Sequence, residues 1–206
     1  MTENNEKTLK VALIGIGGMG YCHYCCYDDI PGAEIIAVCD VRADMAKEKI
    51  EKTNAMRLLD AKKAEYKEHI LPVEEAVSGV EAAALLGVDE KYVYKTLVTV
   101  AKSLEHYVFV IPVAAELDLK KAAKVVGEKS VEMLKSKDLL ALTGYVHGGC
   151  SPVGMKKFFK TTIDESAKDI DRIYFSGGKI GYQIETTLKE LEKAIRFTLA
   201  DVTVNN

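Results

Sequence analysis

Thr143-Gly144-Tyr145-Val146-His147-Gly148-Gly149-Cys150-Ser151-Pro152-Val153-Gly154 is the most informative stretch of the chain, both for its fold and for a site. Its glycine content predicts a loop region over residues 143–155. Gly148 and Gly149 leave backbone N–H groups unshielded, so this loop could hold a carbonyl oxygen of a ligand. An ordinary connecting loop is the alternative interpretation.

Strand patterns lie on both sides of this loop region. Tyr94 to Val100 and His106 to Val113 are rich in β-branched and apolar residues, which favours strands. Arg172 to Ser176 and Ile180 to Glu185 flank Gly177-Gly178-Lys179, which predicts a hairpin.

Helix signals alternate with these strands. The predicted helical segments and their boundary residues are Ser78 to Gly87, Asp118 to Gly127, Ser136 to Leu142 and Thr187 to Ile195. Further strands are predicted at 65–70 and 199–204. Elements mixed in this order indicate a mixed α/β fold, with helices around a mixed sheet. A charged helical pattern over about 43–63 contains no linker signal, so any domain seam is expected to fall within a helix.

The composition is that of a globular protein. Of 206 residues, 48% are hydrophobic and 29% are charged, which excludes a disordered chain. No apolar run approaches the ~20 residues of a membrane helix, and the N-terminus has no secretion signal, so a cytoplasmic protein without a membrane partner is expected. The net charge of −3 argues against bulk electrostatic binding of nucleic acid, DNA included, but not against a local basic patch.

The cysteine pattern predicts free thiols, because the count of five is odd and no secretion signal is present. Cys22-His23-Tyr24-Cys25-Cys26 suggests a metal site. Residues on one helical turn diverge around its axis, however, and no second ligand pair completes four-fold coordination. No metal is therefore expected.

A glycine motif lies near the start of the chain. Leu9 to Ile14 predicts a buried parallel strand, and Gly15, Gly17 and Gly20 follow it with the spacing G-x-G-x-x-G. Asp40 ends a second predicted strand, where a ribose-binding carboxylate of a dinucleotide site belongs. These four residues are the candidate cofactor-binding residues.

Residues of about 9–52 resemble the Rossmann-type opening of the glucose–fructose oxidoreductase / inositol dehydrogenase family. That family continues with more parallel strands, a Glu-Lys-Pro catalytic stretch and a large substrate domain, and no proline of this chain follows Glu-Lys. Two strands and one helix supply about half of a dinucleotide site. The expectation is a βαβ remnant without a cofactor, with an NAD(P)-dependent oxidoreductase as the alternative.

From about Thr53 onward the chain resembles the YbaK-type aminoacyl-tRNA deacylases, which are relatives of the editing domain inserted in bacterial prolyl-tRNA synthetases. Five blocks carry the resemblance in order, at 52–59, 93–98, 117–124, 143–154 and 173–179. The resemblance implies a YbaK-like mixed β-sheet or barrel with surrounding helices at 53–206. A partial Rossmann-like segment at 1–52 would precede it.

The activity that this resemblance implies is trans-editing, the clearing of cysteine mischarged on proline tRNA. In such deacylases the protein supplies no nucleophile: the thiol of the substrate cysteine attacks the ester carbonyl, and the terminal ribose hydroxyl leaves. The implied partners are tRNA and prolyl-tRNA synthetase. A non-catalytic module that binds tRNA or the synthetase is the alternative.

Lys95 is the candidate catalytic residue. An ammonium within an apolar strand is costly to bury unless a substrate oxygen or phosphate pairs with it, and an edge-strand lysine in solvent is the alternative. The essential lysine of the family matches this position. The resemblance also implies a substrate pocket, shaped by Gly148, Gly149, Ser176 and Gln183, for the ester and the terminal ribose.

Two features of the same region leave alternatives open. Cys150, three residues after His147, could be a nucleophile, although family members vary there. Lys156, Lys157 and Lys160 are interleaved with Phe158 and Phe159 and predict a tRNA-binding patch; a solvated lysine face is the alternative.

Two departures from the family pattern affect the expected pocket. Some members have tyrosine where this chain has Leu71, two residues after the histidine that matches His69. Some have aspartate where this chain has Gln183. Both positions bear on which amino acid is removed.

Overall fold

The computed structural model describes residues 9–15, 30, 33–39 and 52–204. The chain divides into two units, Met1–Lys52 and Thr53–Asn206. Lys52 forms a bend, and Thr53 is the N-cap of helix α1, Asn54–Ala61, where its side chain accepts a hydrogen bond from the Met56 N–H. The prediction of one continuous helix over 43–63 is therefore wrong, because a capped helix begins at Asn54.

The first unit contains two described strands, β1 (Leu9–Ile14) and β2 (Ala33–Cys39). Both were predicted, and they pair in parallel from Leu9–Ala33 to Ile14–Cys39. Leu9 and Ile14 are exposed, so the expectation of a fully buried β1 is wrong. Gly15 has φ +82°, whereas Gly17, Gly20, Asp40 and the cluster 22–26 lie outside the described residues.

The second unit contains two sheets. Its strands in chain order are β3 (Lys67–Ile70), β4 (Tyr94–Ala101), β5 (His106–Pro112), β6 (Val131–Met133), β7 (Lys160–Asp164), β8 (Ile173–Ser176), β9 (Tyr182–Thr186) and β10 (Phe197–Ala200). The five-stranded sheet has the order β10-β7-β5-β4-β6, and the three-stranded sheet has the order β3-β9-β8. β10, β7 and β5 are mutually parallel and the other neighbours antiparallel, which confirms a mixed sheet.

Local signals explain where most helices of the second unit begin and end. The other helices are α2 (Gly79–Leu86), α3 (Leu119–Val126), α4 (Ser136–Thr143) and α5 (Leu188–Ala194), with short 3₁₀ turns at Glu90–Tyr92 and Glu165–Asp169. Ser78 and Glu81 form a capping box on α2, and Asp118 accepts two N–H bonds at the start of α3. Gly87 and Gly127 end these helices with left-handed backbone, as predicted.

Two predicted boundaries are wrong. Ser136 is the first residue of α4 and not its cap; the N-cap position is Lys135, which makes no side-chain cap bond. The last strand is Phe197–Ala200 instead of 199–204, and the Val202 N–H bonds the Asp164 carboxylate just after it.

The core follows the alternation of β4 and β5. Val98, Val108 and Val110 belong to a cluster with Phe175 and Ile184 of the three-stranded sheet. On the opposite face, Phe109 and Ile111 pack in a second cluster with Ala122, Ala123 and Val126 of α3. Apolar residues on both faces of these strands thus fix the five-stranded sheet between two layers.

Candidate functional site

A cavity of about 460 Å³ lies along the outer edge of β4. β6 has three residues and pairs with Thr99–Ala101 alone, and Val93 is bridged to Tyr174 of β8. The Leu134 N–H bonds the Val98 carbonyl. Between Val93 and Val98 the edge of β4 therefore has no strand beside it. This open edge forms one wall of the cavity.

The cavity brings together most of the pocket residues that were predicted far apart in sequence. Lys95, Gly148, Ser176 and Gln183 all line it, and so does Leu71. Other lining residues include apolar side chains in or next to β4, α2 and α4: Val77, Ala82, Val93, Val98 and Leu139. The cavity therefore has a mostly apolar wall with a few polar groups, which is typical of small-ligand sites.

Lys95 is half-buried, and its Nζ donates a hydrogen bond to the Val113 carbonyl at 3.0 Å. Burial lowers the pKa of Lys95, and the nearby Glu116 carboxylate opposes this shift. An ammonium carries three N–H donors. With one used on Val113, two are available for oxygens of a ligand in the cavity.

Gly148 has φ +80°, and a Cβ at this position would overlap the Cβ of Ala76. Glycine is therefore required both by the backbone and by the neighbouring chain. Gly149 differs, because its N–H donates to the Val146 carbonyl at 3.0 Å. This amide therefore already has an acceptor within the loop, and Gly149 as a substrate-binding residue stays a prediction; a Cβ there would press on the backbone of Lys179 and Ile180.

Ser176 and Gln183 are directly opposite each other on β8 and β9, and His69 of β3 is opposite Gln183 on its other side. The three side chains therefore share one face of the sheet. The Ser176 hydroxyl also accepts a long hydrogen bond, 3.4 Å, from the Gly178 N–H. Ser176 is thus placed both to line the cavity and to support the turn that follows β8.

Sequence reasoning missed Thr96, which lines the same cavity. Its hydroxyl is buried, and among the described residues it has no hydrogen-bond partner. A buried hydroxyl without a partner costs free energy. Nothing local in the sequence signals this, because it depends on where β6 stops pairing with β4.

Cys150 lines the cavity but is buried, and burial raises the pKa of its thiol to about 12. Such a thiol is almost wholly protonated near neutral pH, and the thiolate is the nucleophilic form. His147 is exposed. The geometry therefore argues against Cys150 as a nucleophile.

The comparisons with known proteins bear on this site. A family model described as "Aminoacyl-tRNA editing domain" matches residues 73–194, a range that contains Lys95, Gly148, Ser176 and Gln183. The chain belongs to the aminoacyl-tRNA editing domain family. The resemblance seen in the five sequence blocks is confirmed at this level.

Individual proteins similar to this chain are also connected with aminoacyl-tRNA editing or with proline tRNA. EbsC of Enterococcus faecalis (strain ATCC 700802 / V583), a candidate Cys-tRNA(Pro)/Cys-tRNA(Cys) deacylase, is 45% identical over 161 residues, 77% of this chain and 98% of EbsC. The proline–tRNA ligase of Thermodesulfovibrio yellowstonii (strain ATCC 51303 / DSM 11347 / YP87) is 30% identical over 61% of this chain, but the match spans 21% of the ligase. The crystal structure of a candidate trans-editing enzyme for prolyl tRNA synthetase has the same fold: TM-score 0.65, 24% identity, 74% of this chain and 96% of that one.

The three lysines expected to bind tRNA have different surroundings in the editing domain. The side chain of Lys156 lies beside Gly144, and the Lys160 Nζ donates to the Val126 carbonyl at 3.4 Å. Lys157 lines a second groove, together with the exposed Phe158. Phe159, in contrast, packs against the core and meets the His106 ring.

Among the described residues, no group of three His, Cys, Asp or Glu side chains is arranged to hold a metal ion. No helix in that part of the chain has the length and apolar character needed to cross a membrane.

Replacing Cys150 by alanine tests the conclusion drawn from its burial. Because the protonated thiol takes no covalent part, we expect single-turnover cleavage of the substrate proposed below to stay near the wild-type rate. Loss of a covalent nucleophile costs about 10⁴-fold or more, so a loss of that size in a folded variant would contradict this interpretation.

Proposed function

We propose that this editing domain is a trans-editing deacylase that hydrolyses Cys-tRNA(Pro). The observation that carries the proposal is the cavity at the open edge of β4, where Lys95, Gly148, Ser176 and Gln183 surround an apolar space. The 45% identity to EbsC supports the same activity. Prolyl-tRNA synthetase is the proposed further partner, because a proline–tRNA ligase contains a related segment.

In the proposed mechanism the protein positions and polarises the substrate. The thiol of the esterified cysteine loses its proton as the sulfur attacks its own ester carbonyl carbon, the bond to the ribose oxygen breaks, and that oxygen takes up a proton. The released cysteine is a four-membered cyclic thioester, which water opens. Since the nucleophile belongs to the substrate, the protein contributes orientation and electrostatic stabilisation.

The polar groups of the cavity described above have distinct roles in this mechanism. Lys95 donates from its two available N–H groups to substrate oxygens. The Gly148 N–H, for which the described residues provide no acceptor, stabilises the developing charge on the carbonyl oxygen. Ser176, Gln183 and Thr96 orient the substrate by hydrogen bonds.

The direct test is cleavage of labelled Cys-tRNA(Pro) by the full chain, with Ala-tRNA(Pro) alongside. We propose cysteine as the preferred substrate, since an attacking thiol is required. Leu71 and Gln183 stand where the family pattern has tyrosine and aspartate in some members, so the comparison with alanine measures the selectivity of a pocket that contains these two residues. Cleavage of neither substrate, with intact tRNA binding, would favour the non-catalytic binding module.

We further propose that residues 1–52 are a Rossmann-type βαβ segment without a cofactor role. The parallel pairing of β1 with β2 and the positive φ of Gly15 support this assignment. Calorimetric titration with NAD and NADP tests the oxidoreductase alternative, which predicts binding.

A chain shortened to residues 53–206 is expected to cleave Cys-tRNA(Pro) at the rate of the full chain. The reason is that the family match, 73–194, and every cavity residue lie within it. Single-turnover rates at equal concentration of folded protein, checked by circular dichroism, make the comparison. A folded but inactive short chain would assign the first 52 residues a role in the reaction.

A further inference from the structure

A second groove, of about 670 Å³, lies outside the catalytic cavity. Three segments that are distant in sequence form it: the end of α1, the loop 152–159, and the end of α5 with the residues that follow. We refer to it as the Lys157 groove, and its charged lining residues are Lys62, Lys157, Glu192, Lys193 and Arg196. Four cations and one carboxylate make this lining strongly positive, although the whole chain has a net charge of −3.

Three of the four cations have no ion pair among the described residues. Lys193 is paired with Glu190 at 2.6 Å. Lys62, Lys157 and Arg196, in contrast, are exposed, and no carboxylate of the described part of the chain neutralises them. Their charge is therefore available to an anionic partner.

The groove also contains an aromatic ring in solvent. Phe158 is 77% exposed, next to the partly buried Phe159. An exposed aromatic ring among cations is the combination that binds single-stranded nucleic acid, since bases stack on the ring and phosphates pair with the cations. A protein partner would not by itself require the excess of cations.

We propose that the Lys157 groove binds the RNA backbone of the tRNA near its 3′ end, with phosphates on Lys62, Lys157 and Arg196 and an unpaired base on Phe158. This inference rests on the proposed function, because that function makes tRNA the substrate. The chain itself connects the two sites: the loop that carries Gly148 and Cys150 at the cavity continues to Lys157 and Phe158. RNA held in the groove would lie beside the segment that leads to the catalytic cavity.

The test is fluorescence anisotropy of labelled, uncharged tRNA(Pro) with the full chain over a range of salt concentrations. The triple variant Lys62→Ala, Lys157→Ala, Arg196→Ala should bind at least about tenfold more weakly, and the slope of log Kd against log salt should fall by about 2 to 3. Phe158→Ala should bind at least about fivefold more weakly, with little change of slope. The matched control is Lys102→Ala, Lys120→Ala, Lys129→Ala, which removes the same charge from exposed lysines elsewhere.

The outcomes separate this inference from the proposed function. If the groove variant and the control bind tRNA equally well with equal slopes, the groove does not hold RNA and a protein partner becomes the better occupant. Weaker binding with an unchanged slope in the triple variant would also overturn it, because phosphate contacts were not removed. Groove-dependent binding without cleavage of Cys-tRNA(Pro) by the wild-type chain would contradict the proposed function and leave the groove assignment intact.

Discussion

Replacing Lys95 by alanine is expected to slow single-turnover cleavage of Cys-tRNA(Pro) about 100- to 1000-fold, the usual cost of removing one donor from a developing oxyanion. The Lys95 ammonium is held at the cavity by its bond to the Val113 carbonyl. Lys95 is the only lysine or arginine among the described residues that line the cavity, and alanine removes its charge. The measurement is the rate at saturating protein, with tRNA binding determined in parallel.

The pH profile gives a second readout for Lys95. Because burial lowers the pKa of Lys95, its ammonium loses a proton at lower pH than an ordinary lysine. The catalysed rate, corrected for spontaneous ester hydrolysis, should therefore fall as pH rises through that pKa. Lys102→Ala, at an exposed lysine, is the control and should keep both rate and profile. Full activity of Lys95→Ala would remove Lys95 from the mechanism.

Replacing Gly148 by alanine is expected to slow cleavage about 100-fold, as for a misplacement of about 1 Å at a reacting group. The new Cβ would overlap Ala76, and the backbone at φ +80° disfavours alanine. The loop must move to relieve both, which takes the Gly148 N–H away from the substrate carbonyl. Rates and the free energy of unfolding are both measured.

Gly127→Ala is a matched control for backbone strain. Gly127 has φ +84°, and nothing lies within 4 Å of an added Cβ. In both variants the strain of left-handed backbone should lower the free energy of unfolding by about 1–2 kcal/mol. Only Gly148→Ala should also lose activity. Equal rates for the two variants would show that the backbone position at Gly148 is unimportant for catalysis.

Local chemistry explains which elements were predictable from sequence. The bounds of α2 and α3 depend on Ser78, Asp118, Gly87 and Gly127, which act within a few residues of themselves. The start of α1 was missed although it has a local signal, since Thr53 is an N-cap that accepts a hydrogen bond from the Met56 N–H. The same hydroxyl also donates to the Gly177 carbonyl, 124 residues away, a contact that no local pattern reports.

The candidate site divides in the same way. Lys95, Gly148, Ser176 and Gln183 were named from resemblance, and the fold brings them to one cavity. Thr96 was missed because its place in the cavity depends on where β6 ends. That the Gly149 N–H is already bonded depends on a turn to the Val146 carbonyl, which the sequence does not show. Of the Lys157 groove, the sequence predicted Lys157 and Phe158 as part of a tRNA-binding patch. Lys62 and Arg196 were missed, because only tertiary structure brings their segments to the groove.

The unpaired stretch of β4 also bears on solubility. An open strand edge ordinarily recruits the strands of other molecules and promotes aggregation. Here the unpaired edge is one wall of a cavity that residues of α4 and of the β8–β9 turn, such as Leu139 and Ile180, also line. A strand of a second molecule would have to enter this cavity to pair with β4. We therefore expect little self-association through this edge.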